Sequence, residues 1–155
     1  MITIKEMAEM LGISTTTVSN VINGKTSEVS QKTAEKVQKL LDEYDYVPNM
    51  NAKNLAQNHS RLIGIVLKRR KDKYENIFTD PFHGELLGAL ESAIREQGYY
   101  MMIYISEDIE EIVRNIVGWN TEGLILIGML HDDYLKIRGK YKKPAVLIDS
   151  YTPKN

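Results

Sequence analysis

The stretch Thr3 to Lys25, TIKEMAEMLGISTTTVSNVINGK, decides how the beginning of the chain folds. Its apolar residues Ile4, Met7, Ala8 and Leu11 recur at i, i+3, i+4 and i+7, which places them on one face of a helix. Thr3 followed by Glu6 makes a capping box at its start, and Gly12 supplies its stop. A second helix follows at once: Ser14 caps it, Val18, Val21 and Ile22 form its buried stripe, and Asn23-Gly24 ends it. At about 100° per residue that stripe points one way, while Thr16, Ser19, Asn20 and Asn23 gather opposite, with Thr15 and Thr17 flanking. Thr, Ser and Asn are mediocre helix formers, and a helix that had only to be soluble would carry Lys or Glu there. The face reads either as plain surface or as a set of donors and acceptors suited to base edges and phosphates.

Working outward, a third helix begins at Ser30, buries Val37, Leu40, Leu41 and Tyr44, and runs out before Asp45-Tyr46-Val47-Pro48, because the residue before Pro is pushed toward extended geometry. Helix, tight turn, helix and supporting helix is the trihelical layout of helix-turn-helix DNA binders. The next segment, PNMNAKNLAQNHSR, is polar and asparagine-rich and reads as a linker. Within it Met50 to Gln57 suits a short helix capped by Asn49. Helices under about 12 residues are marginal in water, so this one is expected to order on contact.

After Arg61 the period changes. Apolar runs Leu62–Leu67, Tyr99–Ile105, Gly123–Gly128 and Ala145–Ile148 alternate with amphipathic helical stretches. Runs apolar on both faces suit a parallel sheet covered by helices on each side. The first such helix has Asp80 as cap, Pro81 at its first position, a stripe of Leu86, Leu87, Leu90, Ala93 and Ile94, and Gly98 as stop. The next carries Ile109, Ile112, Val113 and Ile116, and a weaker one spans Asp132 to Arg138. The expected fold class is an all-α helix-turn-helix unit joined to a doubly wound α/β parallel-sheet partial domain. Its expected divisions are 1–48 for the helical unit, 49–60 for the linker, and 61–155 for an α/β domain that reads as truncated, since nothing protects its outer strands; under the family resemblance set out below these are the headpiece, the hinge and the first lobe of the core.

Composition bounds the chemistry. The 155 residues are 43% hydrophobic and 26% charged, so a packed core is within reach. Zero cysteines exclude disulfides, thiolate metal sites and a cysteine nucleophile. No apolar run approaches the length of a membrane span, and the acidic start MITIKEMAEM is unlike a secretory signal. A cytoplasmic location is expected. His59, His83 and His131 lack metal-ligand spacing, and no GxSxG, Walker or GxGxxG pattern occurs, so no enzyme activity, catalytic residue, metal or cofactor is expected. Asp132-Asp133 reads as a pair of helix-start acids. Net charge is −1, with six basic against seven acidic residues up to Ser60, which lacks the basic footprint of a typical nucleic-acid binder.

Taken together, TIKEMAEMLGISTTTVSNVINGK and VSQKTAEKVQKLLDEYDYVPNMNAKNLA closely resemble the lactose/galactose repressor (LacI/GalR) family of bacterial transcription regulators. The resemblance continues through LIGIVL, DPFHGELLGALESAIREQGYYMMI, GLILIG and AVLID. It implies a headpiece, a hinge helix and part of a core resembling periplasmic sugar-binding proteins. It implies that Thr15, Thr16 and Asn20 read bases in the major groove, and that Ser14, Thr17, Ser19 and Asn23 bind phosphates or fix the helix. Thr3, Ser30, Thr33, Tyr46 and Asn49 fall with the DNA-contacting positions. Members often carry Arg where Asn20 stands, so operator preference does not transfer. Leu55 matches the hinge leucine that wedges into the minor groove, with Ala52 allowing close approach and Lys53 near phosphate. The implied partners are operator DNA, a second copy of the chain in a homodimer, and a small sugar or sugar-phosphate effector, with no membrane.

In open α/β sheets ligands sit beyond the carboxyl ends of the strands. There the resemblance assigns Asp80, Phe82 and Asp149 to the effector cleft; by local pattern alone Asp80 is a cap, Phe82 a core residue and Asp149 a turn residue. The run Lys68-Arg69-Arg70-Lys71-Asp72-Lys73 is either a solvated loop or a site for an anion. The rival to a DNA-binding regulator, probed by the same residues, is an α/β solute-binding protein without DNA function.

Overall fold

The structure, a computed structural model, describes residues 2–68 and 76–150. The chain divides into two compact units, Met1–Lys53 and Asn54–Asn155.

In the first unit α1 (Ile4–Leu11), α2 (Thr15–Ile22) and α3 (Gln31–Glu43) surround one apolar cluster of Met7, Ala8, Val18, Val21 and Val37. Both halves of the Thr3/Glu6 capping box are present, and Gly12 ends α1 in the left-handed conformation at φ +63°. Ser14 caps α2 by accepting from the Thr17 N–H, and Ser30 caps α3 by accepting from the Thr33 N–H. A single 3₁₀ turn, Thr26–Glu28, carries the chain from α2 to α3. One core expectation fails here. Tyr44 is 44% exposed, because α3 ends at Glu43, the chain turns through Asp45 at φ +45°, and Tyr46 packs on the cluster in its place.

The segment Met50–Gln57 is helical (α4), and the Asn49 Oδ1 accepts from the N–H groups of Asn51 and Ala52 at 3.0 and 3.3 Å.

The second unit is a four-stranded parallel sheet in the order β2-β1-β3-β4, with β1 Leu62–Lys68, β2 Tyr100–Ser106, β3 Gly123–Ile127 and β4 Ala145–Ile148. Adjacent residues along a strand face opposite sides, so each apolar run fills two layers. Val66, Leu124 and Leu126 pack against α6 (Ile109–Gly118) and α7 (His131–Lys140), while Ile65, Leu67 and Ile127 pack against α5 (Pro81–Glu96). In α6 all of Ile109, Ile112, Val113 and Ile116 are buried. Gly64 lies opposite Leu124 in the ladder, and a Cβ there would stand 2.7 Å from Leu124 Cδ2. Ala93, expected in the buried stripe of α5, is exposed, and α7 is longer than the Asp132–Arg138 stretch expected. No helix among the described residues is long and apolar enough to cross a membrane.

Candidate nucleic-acid interface

The geometry of α2 follows from its anchor. Val18 is fully buried and Val21 nearly so, which fixes the rotation of the helix about its axis. Thr15, Thr16 and Asn23 are then exposed, and Thr17, Ser19 and Asn20 half-exposed. Among these, Thr15 and Thr16 are the exposed residues of the first turn. The others are engaged locally. Ser14 Oγ and Thr17 Oγ1 lie 2.8 Å apart, and the Asn23 Nδ2 donates to the Ser19 carbonyl at 2.8 Å and to its hydroxyl at 3.2 Å. Ser30 and Thr33 repeat the Ser14–Thr17 arrangement at the start of α3, with their hydroxyls 2.8 Å apart. Both helix starts therefore carry a hydroxyl pair beside backbone N–H groups and the positive end of a helix dipole, a neutral arrangement that attracts phosphate without lysine.

Thr3 is exposed but spends its N–H and hydroxyl on Glu6 Oε2, each at 2.8 Å. Those two bonds hold the Glu6 carboxyl below the usual carboxylate range. Tyr46 is half-buried against the apolar cluster. Asn49 is exposed and spends its side-chain oxygen on the start of α4. Along α4, Ala52 is exposed and Lys53 half-exposed, while Leu55 is 85% exposed, the largest value among the exposed large apolar side chains described. A leucine left almost wholly in water on a short helix gains nothing for the fold.

One contact of α2 was not legible in the sequence. Asn20 Nδ2 donates to Glu28 Oε2 at 2.9 Å. The two residues are eight apart, and only the 3₁₀ turn brings them together.

In the second unit the chain leaving α4 is tied to the amino-terminal edge of the sheet. The Ser60 hydroxyl donates to the Asn120 carbonyl at 2.7 Å, and Glu122 Oε1 accepts from the Arg61 N–H at 3.0 Å and lies 3.2 Å from His59 Nδ1. The Arg61 N–H and His59 hold the Glu122 carboxyl below the usual carboxylate range. Arg61 itself sits at φ +55°, a conformation that costs a non-glycine residue about 1 kcal/mol or more. The hydrogen bonds around it over-determine it.

At the opposite end of the sheet, Asp80 caps α5 by accepting from the Phe82 N–H and is also bonded to His83 Nδ1. Phe82 is 51% exposed, so the reading of it as a core residue fails; its ring meets that of His83 edge-on at 5.4 Å. Asp149 follows β4, exposed and at φ +47°. Lys68 ends β1 and bonds Asp133 Oδ2 at 2.5 Å. Asp133 lies in the first turn of α7, as its reading as a helix-start acid has it; beyond that reading it is buried, and the lysine at the end of β1 compensates its charge. Arg69–Lys73, the rest of the basic run, lies outside the described residues. Among the described residues no group of three or more His, Cys, Asp or Glu side chains is arranged to hold a metal ion.

Comparisons with known proteins converge on one group. Residues 3–49 match the family described as bacterial regulatory proteins, lacI family. The chain is 33% identical over 155 residues to the transcriptional repressor PurR of Vibrio vulnificus, covering 96% of this chain and 44% of that protein. It is 31% identical over 138 residues to the transcriptional regulator MalR of Streptococcus pneumoniae, covering 86% and 41%. The sucrose operon repressor of Klebsiella pneumoniae is 30% identical over 154 residues, covering 96% and 44%. Among solved structures, the Lac repressor dimer bound to operator and the anti-inducer ONPF superposes with a TM-score of 0.81 at 27% identity, over 97% of this chain and 45% of that one. The chain thus spans less than half the length of these relatives.

Proposed function

The chain belongs, through the helix-turn-helix domain at residues 3–49, to the lacI family of bacterial regulatory proteins, and from that premise we propose that it binds operator DNA as a transcriptional repressor. Residues 1–48 act as the DNA-binding headpiece, 49–60 as the hinge and 61–155 as the first lobe of an effector-sensing core. The observation that carries this reading is the orientation of α2, whose aliphatic side is locked in the core while Thr15, Thr16 and Asn20 face outward. Laid in the major groove, those three side chains supply donors, acceptors and methyl groups for base edges. Ser14, Thr17, Ser19 and Asn23 would hold the helix and its phosphates, and Thr3, Ser30, Thr33, Tyr46 and Asn49 the flanking backbone.

Leu55 of α4 is assigned to the minor groove as a wedge, with Ala52 permitting close approach and Lys53 beside a phosphate. Two hinges side by side are required for this, so the chain acts as a homodimer on a pseudo-palindromic site. Operator-bound Lac repressor is a dimer, which supports the assignment. The effector is a small sugar-like molecule held beyond the carboxyl ends of the strands by Asp80, Phe82 and Asp149, and the name of the sucrose operon repressor supports that class. The protein works in the cytoplasm and catalyses no reaction.

Selection of bound fragments from genomic DNA by the intact protein tests the proposal. The expected result is enrichment of a pseudo-palindrome, and because phosphate is met mainly by neutral groups, a shallow dependence of affinity on salt. Absence of any enriched sequence, together with sugar binding, would favour a pure solute-binding protein. A salt slope implying about ten or more phosphates neutralised per chain would contradict the neutral-donor mode.

A further inference from the structure

The hydrogen bond between Asn20 and Glu28 has an unusual setting. Glu28 closes the 3₁₀ turn Thr26–Glu28, and that turn is held by backbone bonds: the Lys25 N–H donates to the Asn20 carbonyl at 2.8 Å and the Val29 N–H to the Thr26 carbonyl at 3.1 Å. Val29, next in the chain, packs on the apolar cluster of the first unit. The carboxylate is therefore delivered to the outward side of α2 by the backbone. Among the described residues no lysine, arginine or histidine forms an ion pair with it.

A carboxylate here is costly for a protein that binds a polyanion. It repels phosphate on every sequence alike, so general affinity does not account for it. Its effect on Asn20 does. An ionised carboxylate only accepts hydrogen bonds, so the amide nitrogen of Asn20 must face Glu28 and its oxygen must face away. The terminal torsion of asparagine is otherwise broad and roughly two-fold, leaving oxygen and nitrogen free to exchange places. With Glu28 in place, Asn20 offers Oδ1 and one remaining N–H in a set orientation. That is the acceptor and donor pair that matches the adenine 6-amino group and N7.

We infer that Glu28 is a specificity-determining positioning residue, which holds the Asn20 carboxamide so that the chain reads adenine at one base pair of each half-site. The inference rests on the proposal that α2 lies in the major groove. It goes further by naming the base and the residue that sets the choice.

The test compares the full chain with its Asn20→Ala, Glu28→Ala and Glu28→Gln variants. Each is titrated against the selected operator, every single-base variant of it, and random duplex. Circular dichroism and thermal unfolding verify the fold, which the exposed position of Glu28 should leave unchanged. The wild type should prefer adenine at one base pair per half-site by a factor on the order of 5 to 150, the range of a bidentate contact. Asn20→Ala should abolish that preference. Glu28→Ala should reduce it at least about fivefold at the same base pair only, while binding to random duplex rises. Glu28→Gln keeps a carbonyl acceptor and removes the charge; it should retain the preference within about threefold and still raise random-duplex binding.

The inference is overturned if Glu28→Ala leaves the preference intact where Asn20→Ala removes it, if the base read through Asn20 is not adenine, or if the loss spreads evenly over all positions. A wild type that selects no sequence overturns it too, but that result condemns the DNA-binding proposal rather than the role of Glu28.

Discussion

Replacing Leu55 by Ala removes three carbons from a side chain that is 85% exposed in the free chain. Alanine is also the better helix former, so the stability of the chain should change by no more than about 0.5 kcal/mol. In the bound state assigned above, the same side chain enters a base step and leaves water. At about 0.8 kcal/mol per carbon, and scaled by the exposed fraction, the lost burial is about 2 kcal/mol per chain and about 4 kcal/mol per dimer. Against this, the variant is released from unstacking the step, which costs a few kcal/mol. The balance predicts an operator affinity reduced by between about tenfold and about a thousandfold, at about 1.4 kcal/mol per tenfold. Fluorescence anisotropy with labelled duplexes measures it, one titration on the selected operator and one on random sequence, both at one fixed salt concentration. Random-sequence binding rests on phosphate contacts and should change less than about twofold. Equal losses on the two duplexes would refute the wedge.

Three further outcomes follow from the packing and the charges. Val18→Ala removes two methyl groups from a fully buried site and should destabilise the first unit by about 2 kcal/mol, whereas Thr16→Ala should stay within about 0.5 kcal/mol. Denaturant titration followed by far-ultraviolet circular dichroism separates them, and comparable effects would mean that α2 is not anchored as described. Gly64→Ala sets a Cβ 2.7 Å from Leu124 Cδ2, and Leu124, only 2% exposed, has little space to retreat. A loss of about 1–3 kcal/mol is expected in the second unit, reported by the fluorescence of Trp119, the single tryptophan of the chain; an unmoved transition would show that Leu124 has room. The carboxyl of Glu122 is depressed in the folded chain by the Arg61 N–H and His59, so its stabilising contribution is complete above the ordinary value of 4.5 and is lost as pH falls through the folded value. The stability gap between wild type and Glu122→Gln should therefore be present near neutrality and shrink in acid. A gap that stays constant with pH would remove the ionised carboxylate from the account.

Helices and strands were legible because their signals are local and redundant. Thr3 and Glu6, Ser14, Ser30, Asp80 with Pro81, and Gly12 each mark a terminus by a hydrogen bond or a φ value that few other residues satisfy. The outward set on α2 was readable for the same reason, since Val18 and Val21 fix the helix rotation and everything opposite follows from the period. Less legible were residues whose surroundings are set by chain reversal or by distant parts of the chain. The period of α3 extends naturally to Tyr44, but the turn at Asp45 hands the core position to Tyr46. Asp133 does start a helix, but nothing in its neighbourhood announces its partner Lys68, which lies 65 residues earlier. Glu28 carries no signal in the sequence for a related reason: the 3₁₀ turn that delivers it to Asn20 has no periodic pattern.

The proposed hinge, α4, combines these two kinds of information. With only eight residues, α4 is below the length at which a helix holds itself in water. Its supports lie at its ends. At entry the Asn49 side chain satisfies two of its first N–H groups, and at exit the Asn54 side chain donates to the Ser60 carbonyl at 3.1 Å, next to the bonds from Ser60 and Arg61 to Asn120 and Glu122. Asn120 and Glu122 stand immediately before β3, the strand paired with both β1 and β4. Under the proposed function, an effector acts at the far ends of those strands. A displacement of β3 of a few tenths of an ångström changes the geometry of the exit bonds, each worth about 1 kcal/mol. For a helix balanced near zero free energy, a shift of about 1.4 kcal/mol changes its folded-to-unfolded ratio about tenfold. Under that proposal no larger rearrangement would be required for ligand occupancy to reach DNA affinity, because the element proposed to switch is short enough to be tipped by one or two hydrogen bonds.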